Sequence, residues 1–260
     1  MSNKKRVNYG NWMPKKFLVI GGLVSIALLF GVVFVPVMWL RIVIGVFACL
    51  VLYMLFIAVR AYWYFSIKGK NLQGTVNNLV IEHLDWSGKG VCLDIGCGNG
   101  PVSIQLAKKY PNAQIIASDF WGKSAFEYGE EQCRINAELE QVAERMKFVF
   151  ANAASLPFED ESVDAVVSNL AFHEVADFKM KEKHKSFLEA FRVLKKGGVF
   201  AVQDVFGSKV VYGDFDTLQK VLKEHVSELY YYDTVKELKL PGWLNTPIMI
   251  QGVGIFYGRK

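Results

Sequence analysis

No aspartate or glutamate occurs before Glu82 in this chain of 260 residues. Residues 1–65 carry seven basic side chains (Lys4, Lys5, Arg6, Lys15, Lys16, Arg41 and Arg60) and no acid. Of the thirty Lys and Arg in the chain, that leaves 23 against 25 acids in residues 66–260, a net of −2. The overall charge of +5 therefore belongs wholly to the N-terminal segment. Nucleic-acid binding calls for a basic patch on the folded domain, and this distribution speaks against one. Cysteine is scarce too: Cys49, Cys92, Cys97 and Cys133 form no C-x-x-C pair. That excludes a disulfide framework and the usual zinc spacings, and fits reduced thiols. There is no internal repeat and no low-complexity tract.

What the N-terminus has instead is apolar length. Residues 17–35 hold nineteen positions without a charge, and residues 37–59 form a second run interrupted only by Arg41. At about 1.5 Å per residue, each run comes close to the roughly 30 Å hydrocarbon core of a bilayer. Pro36 favours a break between them. The expectation is two membrane helices, about 17–35 and 38–59, joined by a tight turn, with the bilayer as partner. Arg41 can snorkel to headgroups. Trp39, Tyr62, Trp63 and Tyr64 suit interfacial belts. Five Lys and Arg precede the first run, and Arg60, Lys68 and Lys70 follow the second. The positive-inside rule then puts both termini and the folded domain in the cytoplasm, on a cell membrane spanned twice. A cleaved signal peptide would have a shorter apolar core ending in small residues, whereas Pro36-Val-Met-Trp follows here. A re-entrant or interfacial hairpin is the other alternative, because the turn is so short. The expected division is an anchor over 1–65 and a second domain over 66–260.

The second domain is led by Val91-Cys-Leu-Asp-Ile-Gly-Cys-Gly-Asn-Gly100. An apolar strand ends in a loop with glycine at Gly96, Gly98 and Gly100, and Asp94 stands two residues before the first. Glycine lets the backbone turn sharply and lets a ligand lie against it. A strand, such a loop and then a helix aim free backbone N–H groups at a ligand. Dinucleotide folds want G-x-G-x-x-G, with the third glycine at position 101. That residue is Pro101, so the register is G-x-G-x-G.

Further along, apolar periodicity predicts a helix over 71–84, strands at 91–95, 114–118, 147–150, 163–168 and 199–203, and helices at 102–110, 127–145, 180–194 and 216–229. Lys195-Lys-Gly-Gly198 reads as a helix stop. Residues 247–250 and 253–257 flank Gln251-Gly252 and read as a terminal hairpin. Strands alternating with helices give a parallel, doubly wound α/β sheet, whose ligands lie at the carboxyl ends of the strands. Asp119 ends the second strand nineteen residues after Gly100, where an acid can accept both ribose hydroxyls.

The glycine loop with Asp94 resembles motif I of class I S-adenosylmethionine (SAM)-dependent methyltransferases, and Asp119 resembles that family's ribose acid. The resemblance covers about residues 72–260. It implies a mostly parallel, seven-stranded Rossmann-like sheet, here preceded by two transmembrane helices, with SAM as cofactor and no metal. Asp94 would support the loop or the cofactor's amino-acid portion. Gly96, Cys97, Gly98 and Gly100 would line the methionine and ribose. Phe120 or Trp121 would lie near the adenine, Trp121 equally fitting local core. Asn152 stands where the family commonly has an acid for the adenine amino group; its amide carbonyl could accept that bond, with Ala153 offering backbone. Ser168-Asn-Leu-Ala-Phe-His-Glu174 resembles the loop after strand four of quinone-biosynthesis and related small-molecule methyltransferases. There Asn169 would border the cofactor and His173 would orient an acceptor or remove its proton, or else only gate the pocket. Asp204, ending strand five, would hold a polar substrate group or serve a turn. Asp164 reads as structural.

The reading is a membrane-anchored SAM-dependent methyltransferase acting on a small, lipophilic or membrane-associated acceptor. The alternatives are a non-catalytic SAM-binding membrane protein and an NAD(P)-linked oxidoreductase. Acceptor atom, pathway and oligomeric state are not encoded legibly.

Overall fold

The computed structural model describes residues 6–121, 129–175, 184–246 and 249–260. They form two compact units: Gly10–Thr75, and the residues up to Tyr9 together with Val76–Lys260. The boundary thus differs from a single cut at residue 65.

The first unit is built on α1 (Lys15–Phe34) and α2 (Met38–Phe65). They pair antiparallel, and small residues sit at the contact. A Cβ on Gly21 would lie 3.2 Å from Leu55, and one on Gly31 3.3 Å from Ile44. Small residues allow such close approach of helix backbones. Of the 48 residues in α1 and α2, only Ser25, Ala48, Ala61 and Phe65 are buried, while Leu23, Phe30, Phe34, Trp39, Val46 and Tyr53 face outward. Both helices are long and apolar enough to cross a membrane, and neither is buried as the core helix of a soluble protein would be. Arg41 is used internally. Its Nη2 donates to Val33 O at 3.1 Å and its Nε to Val35 O. The last carbonyls of a helix lack intrahelical partners, and the guanidinium supplies donors to that end of α1.

The second unit begins with α3 (Leu72–Glu82), of which residues from Val76 on belong here. Then come β1 (Val91–Ile95), α4 (Pro101–Lys109), β2 (Gln114–Asp119), α5 (Glu130–Leu139), β3 (Met146–Phe150), β4 (Val163–Asn169), α6 (Phe172–Val175), α7 (Lys185–Val193), β5 (Leu194–Asp204), α8 (Lys209–Tyr212), α9 (Phe215–Lys223), β6 (Glu228–Tyr232), α10 (Thr234–Glu237) and β7 (Gly254–Arg259). The sheet has seven strands in the order β3-β2-β1-β4-β5-β7-β6. The pairs among β1 to β5 are parallel, and β7 is antiparallel to both β5 and β6. One face packs on α3, α4 and α5 through Val80, Ile104, Leu106 and Cys133. The other packs on α7 and α9 through Phe187, Phe191, Leu218 and Leu222. This is the expected doubly wound sheet.

Three local expectations are corrected. The terminal antiparallel pair is β6 with β7, not residues 247–250 with 253–257. Helix α9 stops at Lys223, and Leu229-Tyr-Tyr-Tyr232 forms the edge strand. Aromatic residues suit a half-exposed pleated surface, but a run without polar alternation hides the strand period. Lys195-Lys-Gly-Gly198 is not a C-cap. Helix α7 ends at Val193, Leu194 is already extended, and Gly197 (φ +74°) sits inside β5. The helix expected over 127–145 is shorter: α5 ends at Leu139, Gln141 turns with φ +59°, and Ala143–Arg145 is a 3-10 turn. Of the expected elements, residues 127–128, 180–183 and 247–248 lie outside the described residues.

Residues 6–9 form a strap that the sequence reading placed in the anchor. The Asn136 side chain accepts from Asn8 N–H at 2.9 Å and donates to Asn8 O at 2.8 Å. Tyr9 Oη donates to Glu140 Oε1 at 3.3 Å.

Candidate active site

The glycine loop begins where β1 ends. Gly96 has φ +76°, and a Cβ there would stand 2.1 Å from Ala171 Cβ. The N–H groups of Gly96 and Cys97 both donate to Ser118 O, at 2.8 and 3.0 Å, which pins the loop to β2. Gly100 (φ +81°) is the N-cap of α4, and Pro101 is its first residue. Proline suits that position, because the N–H it lacks would have no intrahelical partner. The residue that breaks the dinucleotide register is thus the one that starts the helix.

Asp94 lies under this loop and is 1% exposed. Ser103 Oγ donates to its Oδ2, and its Oδ1 is buried with no hydrogen-bond partner. Burial pushes its carboxyl up to about 7, against the Ser103 hydrogen bond and with help from the charge of Asp119. Asp119 accepts the Gly98 N–H at 2.7 Å. Burial raises its pKa as well, opposed by the Gly98 and Phe120 N–H groups. The strand-two acid and the central glycine are therefore physically joined.

Trp121 donates its indole N–H to Gly98 O at 3.0 Å and packs against the α3-side core. It braces the loop from outside. Phe120 is exposed and its ring lies 4.8 Å from that of Phe150, a neighbour at the end of β3. Asn152 is exposed, and its Oδ1 already accepts Ala154 N–H at 2.9 Å, while Ala153 is buried. Asn169 donates to Asn77 Oδ1 on α3 at 2.7 Å, and its own Oδ1 is buried without a partner. Its register partner on β5, Gln203, donates to Val76 O at 3.3 Å and also leaves a buried carbonyl oxygen unpartnered.

His173 and Asp204, thirty-one residues apart, meet. His173 Nδ1 lies 2.7 Å from Asp204 Oδ1, and the His173 backbone N–H donates to Asp204 Oδ2 at 3.0 Å. Val205 N–H donates to the same carboxylate at 2.7 Å. The Asp204 side chain is wholly buried, whereas that of His173 is 31% exposed. Burial works against the imidazolium, but the charge and hydrogen bond of Asp204 outweigh it and raise His173 to about 8. Glu174 is raised by burial and by the charges of Asp119 and Asp204, against His173.

Asp94, Asp119, Glu174 and Asp204 thus converge at the carboxyl ends of β1, β2, β4 and β5. Among the described residues no Lys or Arg makes a salt bridge to any of them. Buried carboxylates are costly without a countercharge. An anionic pyrophosphate would be repelled here, while a ligand carrying an ammonium and a sulfonium supplies what the crevice lacks. The orphaned Oδ1 of Asp94 is an acceptor of the kind such an ammonium needs. The residues present therefore fit SAM.

Two contributors carry no signal in the sequence: Asn77 and Asn136 are lone amides on helices.

Comparison with known proteins agrees. Residues 93–202 match the family model described as a methyltransferase domain. The ubiquinone/menaquinone biosynthesis C-methyltransferase UbiE of Geotalea daltonii is 27% identical over 165 residues, 63% of this chain and 60% of that protein. The sterol 4-C-methyltransferase strm-1 of Caenorhabditis elegans is 29% identical over 171 residues, 65% of this chain and 46% of that protein. A geranyl diphosphate C-methyltransferase structure from Streptomyces coelicolor A3(2), holding S-adenosyl-L-homocysteine, superposes with a TM-score of 0.52 at 14% identity, covering 73% of this chain and 80% of that one. The chain spans less than two thirds of the curated relatives it matches. With the seven-stranded sheet, the G-x-G-x-G loop and its acids, the C-terminal unit is similar to the class I SAM-dependent methyltransferases, and its crevice fits SAM as cofactor.

Proposed function

We propose that this protein transfers the methyl group of SAM to a small lipophilic acceptor that partitions into a membrane, with α1 and α2 as the anchor. The observation that carries this reading is the outward-facing apolar surface of α1 and α2 on the same chain as a SAM-type crevice. Tethering raises the effective concentration of a membrane-borne acceptor without any new contact. The relatives named for quinone biosynthesis and for sterol methylation support the same class of acceptor. The flanking basic residues support a topology with both termini and the crevice in the cytoplasm.

In this reading SAM brings a methyl group already activated on sulfonium sulfur, and the protein supplies approach geometry and excludes water. Asp94 and the backbone of Gly96, Cys97, Gly98 and Gly100 hold the methionine and ribose portions. Asp119 takes the ribose hydroxyls through the oxygen not bound to Gly98. Phe120, Asn152 and Ala153 border the adenine, and Asn169 the methionine end. Trp121 keeps Gly98 in place.

The test is the full chain in phosphatidylcholine vesicles doped with lipid extract of the source cells, given methyl-labelled SAM. Label in the extracted lipid is the expected result. Label found only in added water-soluble metabolites would overturn the membrane acceptor. Calorimetric titration separates the cofactors: SAM binds and NAD does not.

A further inference from the structure

We infer that the cofactor site is completed by chain from in front of the anchor: residues 6–9 hold Asn99, and through it the glycine loop, in the shape that receives SAM. This rests on the SAM reading of the crevice given above. Asn99 stands between Gly98 and Gly100 and is 1% exposed. Its Nδ2 donates to Asn8 O at 3.4 Å, its Oδ1 accepts Gly129 N–H at 3.1 Å, and its carbonyl accepts from Asn136 Nδ2 at 2.9 Å. Asn136, wholly buried on α5, grips the same strap residue on both sides: its Oδ1 accepts the Asn8 N–H and its Nδ2 donates to the Asn8 carbonyl. A carboxamide carries an acceptor and a donor side by side, so it matches a peptide edge as a neighbouring strand would. The Asn8 carbonyl is thus shared between α5 and the glycine loop.

Tyr9 fixes the strap in place. Its ring packs on the core that contains Ile104 and Leu106 of α4 and Cys133 and Ala137 of α5. Its Oη donates to Glu140, whose other oxygen accepts from Lys108 of α4. On its other flank the loop is held from the end of β2, where Asp119 accepts the Gly98 N–H and the Trp121 indole donates to the Gly98 carbonyl. Gly98 and Asn99 are therefore clamped separately, one by the crevice and one by the strap.

The second clamp matters because of what the loop loses on ordering. Gly96, Gly98 and Gly100 all sit at positive φ, +76°, +54° and +81°. Glycine gives up more backbone freedom than any other residue when it is fixed. A site already ordered before its ligand arrives binds more tightly, because that loss no longer falls on binding. Residues 6–9 and Asn136 are positioning residues in this scheme, acting on SAM only through Asn99. The chain leaves this unit after Tyr9 and re-enters it at Val76, so the anchor is an insertion within the cofactor-binding unit. A cut at residue 65 would discard the strap together with the anchor.

The experiment uses the full chain in phosphatidylcholine vesicles and two variants of it. Asn8→Pro removes the N–H that Asn136 accepts. Deletion of residues 1–9 removes the strap and leaves α1 and α2 whole. The SAM Kd, read by titration calorimetry, is expected to rise about 10-fold on deletion and about 3-fold in Asn8→Pro. Amide hydrogen exchange at Asn99 and Gly100 is expected to quicken in the SAM-free variants and to return to the parent level once SAM is bound. Asn8→Pro decides alone where the deletion does not fold. An unchanged SAM Kd, or exchange that quickens across the whole unit with the loop no more affected than the rest, would overturn the inference and leave the SAM site standing. A parent chain that binds no SAM would overturn the proposed function itself, and this inference with it.

Discussion

Residues 10–75 and the unit ending at Lys260 resolve the same apolar richness in opposite ways. In α1 and α2 large apolar side chains face outward and the few buried positions are mostly small. In the second unit Leu93, Ile95, Phe187 and Phe200 are wholly inside, and what is sunk beside them at the strand ends is acid. The first region has no acid at all, and its central cation, Arg41, is spent on the carbonyls of α1. Among the described residues the second holds Asp94, Asp119, Glu174 and Asp204 with no Lys or Arg partner, His173 alone pairing with Asp204. Each region is thus incomplete in its own way. The first lacks an apolar cover, and the acids of the second, among the described residues, have His173 as their one cationic neighbour. A membrane and SAM are the complements proposed for them.

That contrast can be broken at its acidic side first. Gly96→Val places a side chain where a Cβ already meets Ala171 at 2.1 Å and φ is +76°. It is expected to abolish SAM binding by titration calorimetry, a loss of more than about 10²-fold. Next, Asp119→Ala removes both the proposed ribose acceptor and the anchor of Gly98 N–H. An expected weakening of about 10- to 100-fold in SAM Kd follows from a hydrogen bond to a charged group. An unchanged Kd would remove Asp119 from the ribose site.

Asp94→Asn sharpens the comparison through stability. A carboxyl raised from 3.8 to about 7 binds its proton more tightly when folded. Its stabilising contribution is present at low pH and lost as pH rises through about 7. Neutralising it is expected to stabilise the SAM-free chain by about 2 kcal/mol at pH 8, read as a higher Tm in detergent, while weakening SAM. The gain should vanish at pH 4. His173 has the same sign: its raised pKa contributes stability fully below about 6.5, lost as pH rises through about 8. The smallest expected effect tests the strap. Asn136→Ala removes the amide that bonds the Asn8 peptide and the Asn99 carbonyl, while Asn99 Nδ2 still reaches Asn8 O, at a cost of about 1 kcal/mol in thermal unfolding. An unaltered Tm would show that residues 6–9 add nothing to the catalytic unit.

Much of the fold was legible because it rests on local pattern. β1, the loop after it and α4 followed from an apolar run, three glycines and a proline, each dictating its own backbone. The strands at the sheet centre read as buried runs, and α1 and α2 as long apolar ones. The edge was not legible. Leu229-Tyr-Tyr-Tyr232 has no alternation to show which face is inside, and only pairing with β7 made it a strand. The glycines of Lys195-Lys-Gly-Gly198 looked like a helix end, yet β5 spans them: Leu194 and Val199 pair with Val163 and Ala165 of β4, and the four residues between them bulge out of the register.

For the site, the sequence by itself determined the residues that act through the backbone or through a fixed spacing. Gly96, Gly98, Gly100 and Asp119 belong to this set, since turn conformation and the length of one strand–helix–strand unit are local properties. Only the tertiary structure decided the pairings over long separations. It joined His173 to Asp204, Asn169 to Asn77, and the N-terminal strap to Asn136 and the glycine loop through Asn99. It also decided that Trp121 braces the loop and that Asn152 turns onto Ala154. A hydrogen bond depends on where two groups end up in space, and burial alone makes its loss costly. Neither quantity is written in the spacing of one residue from the next.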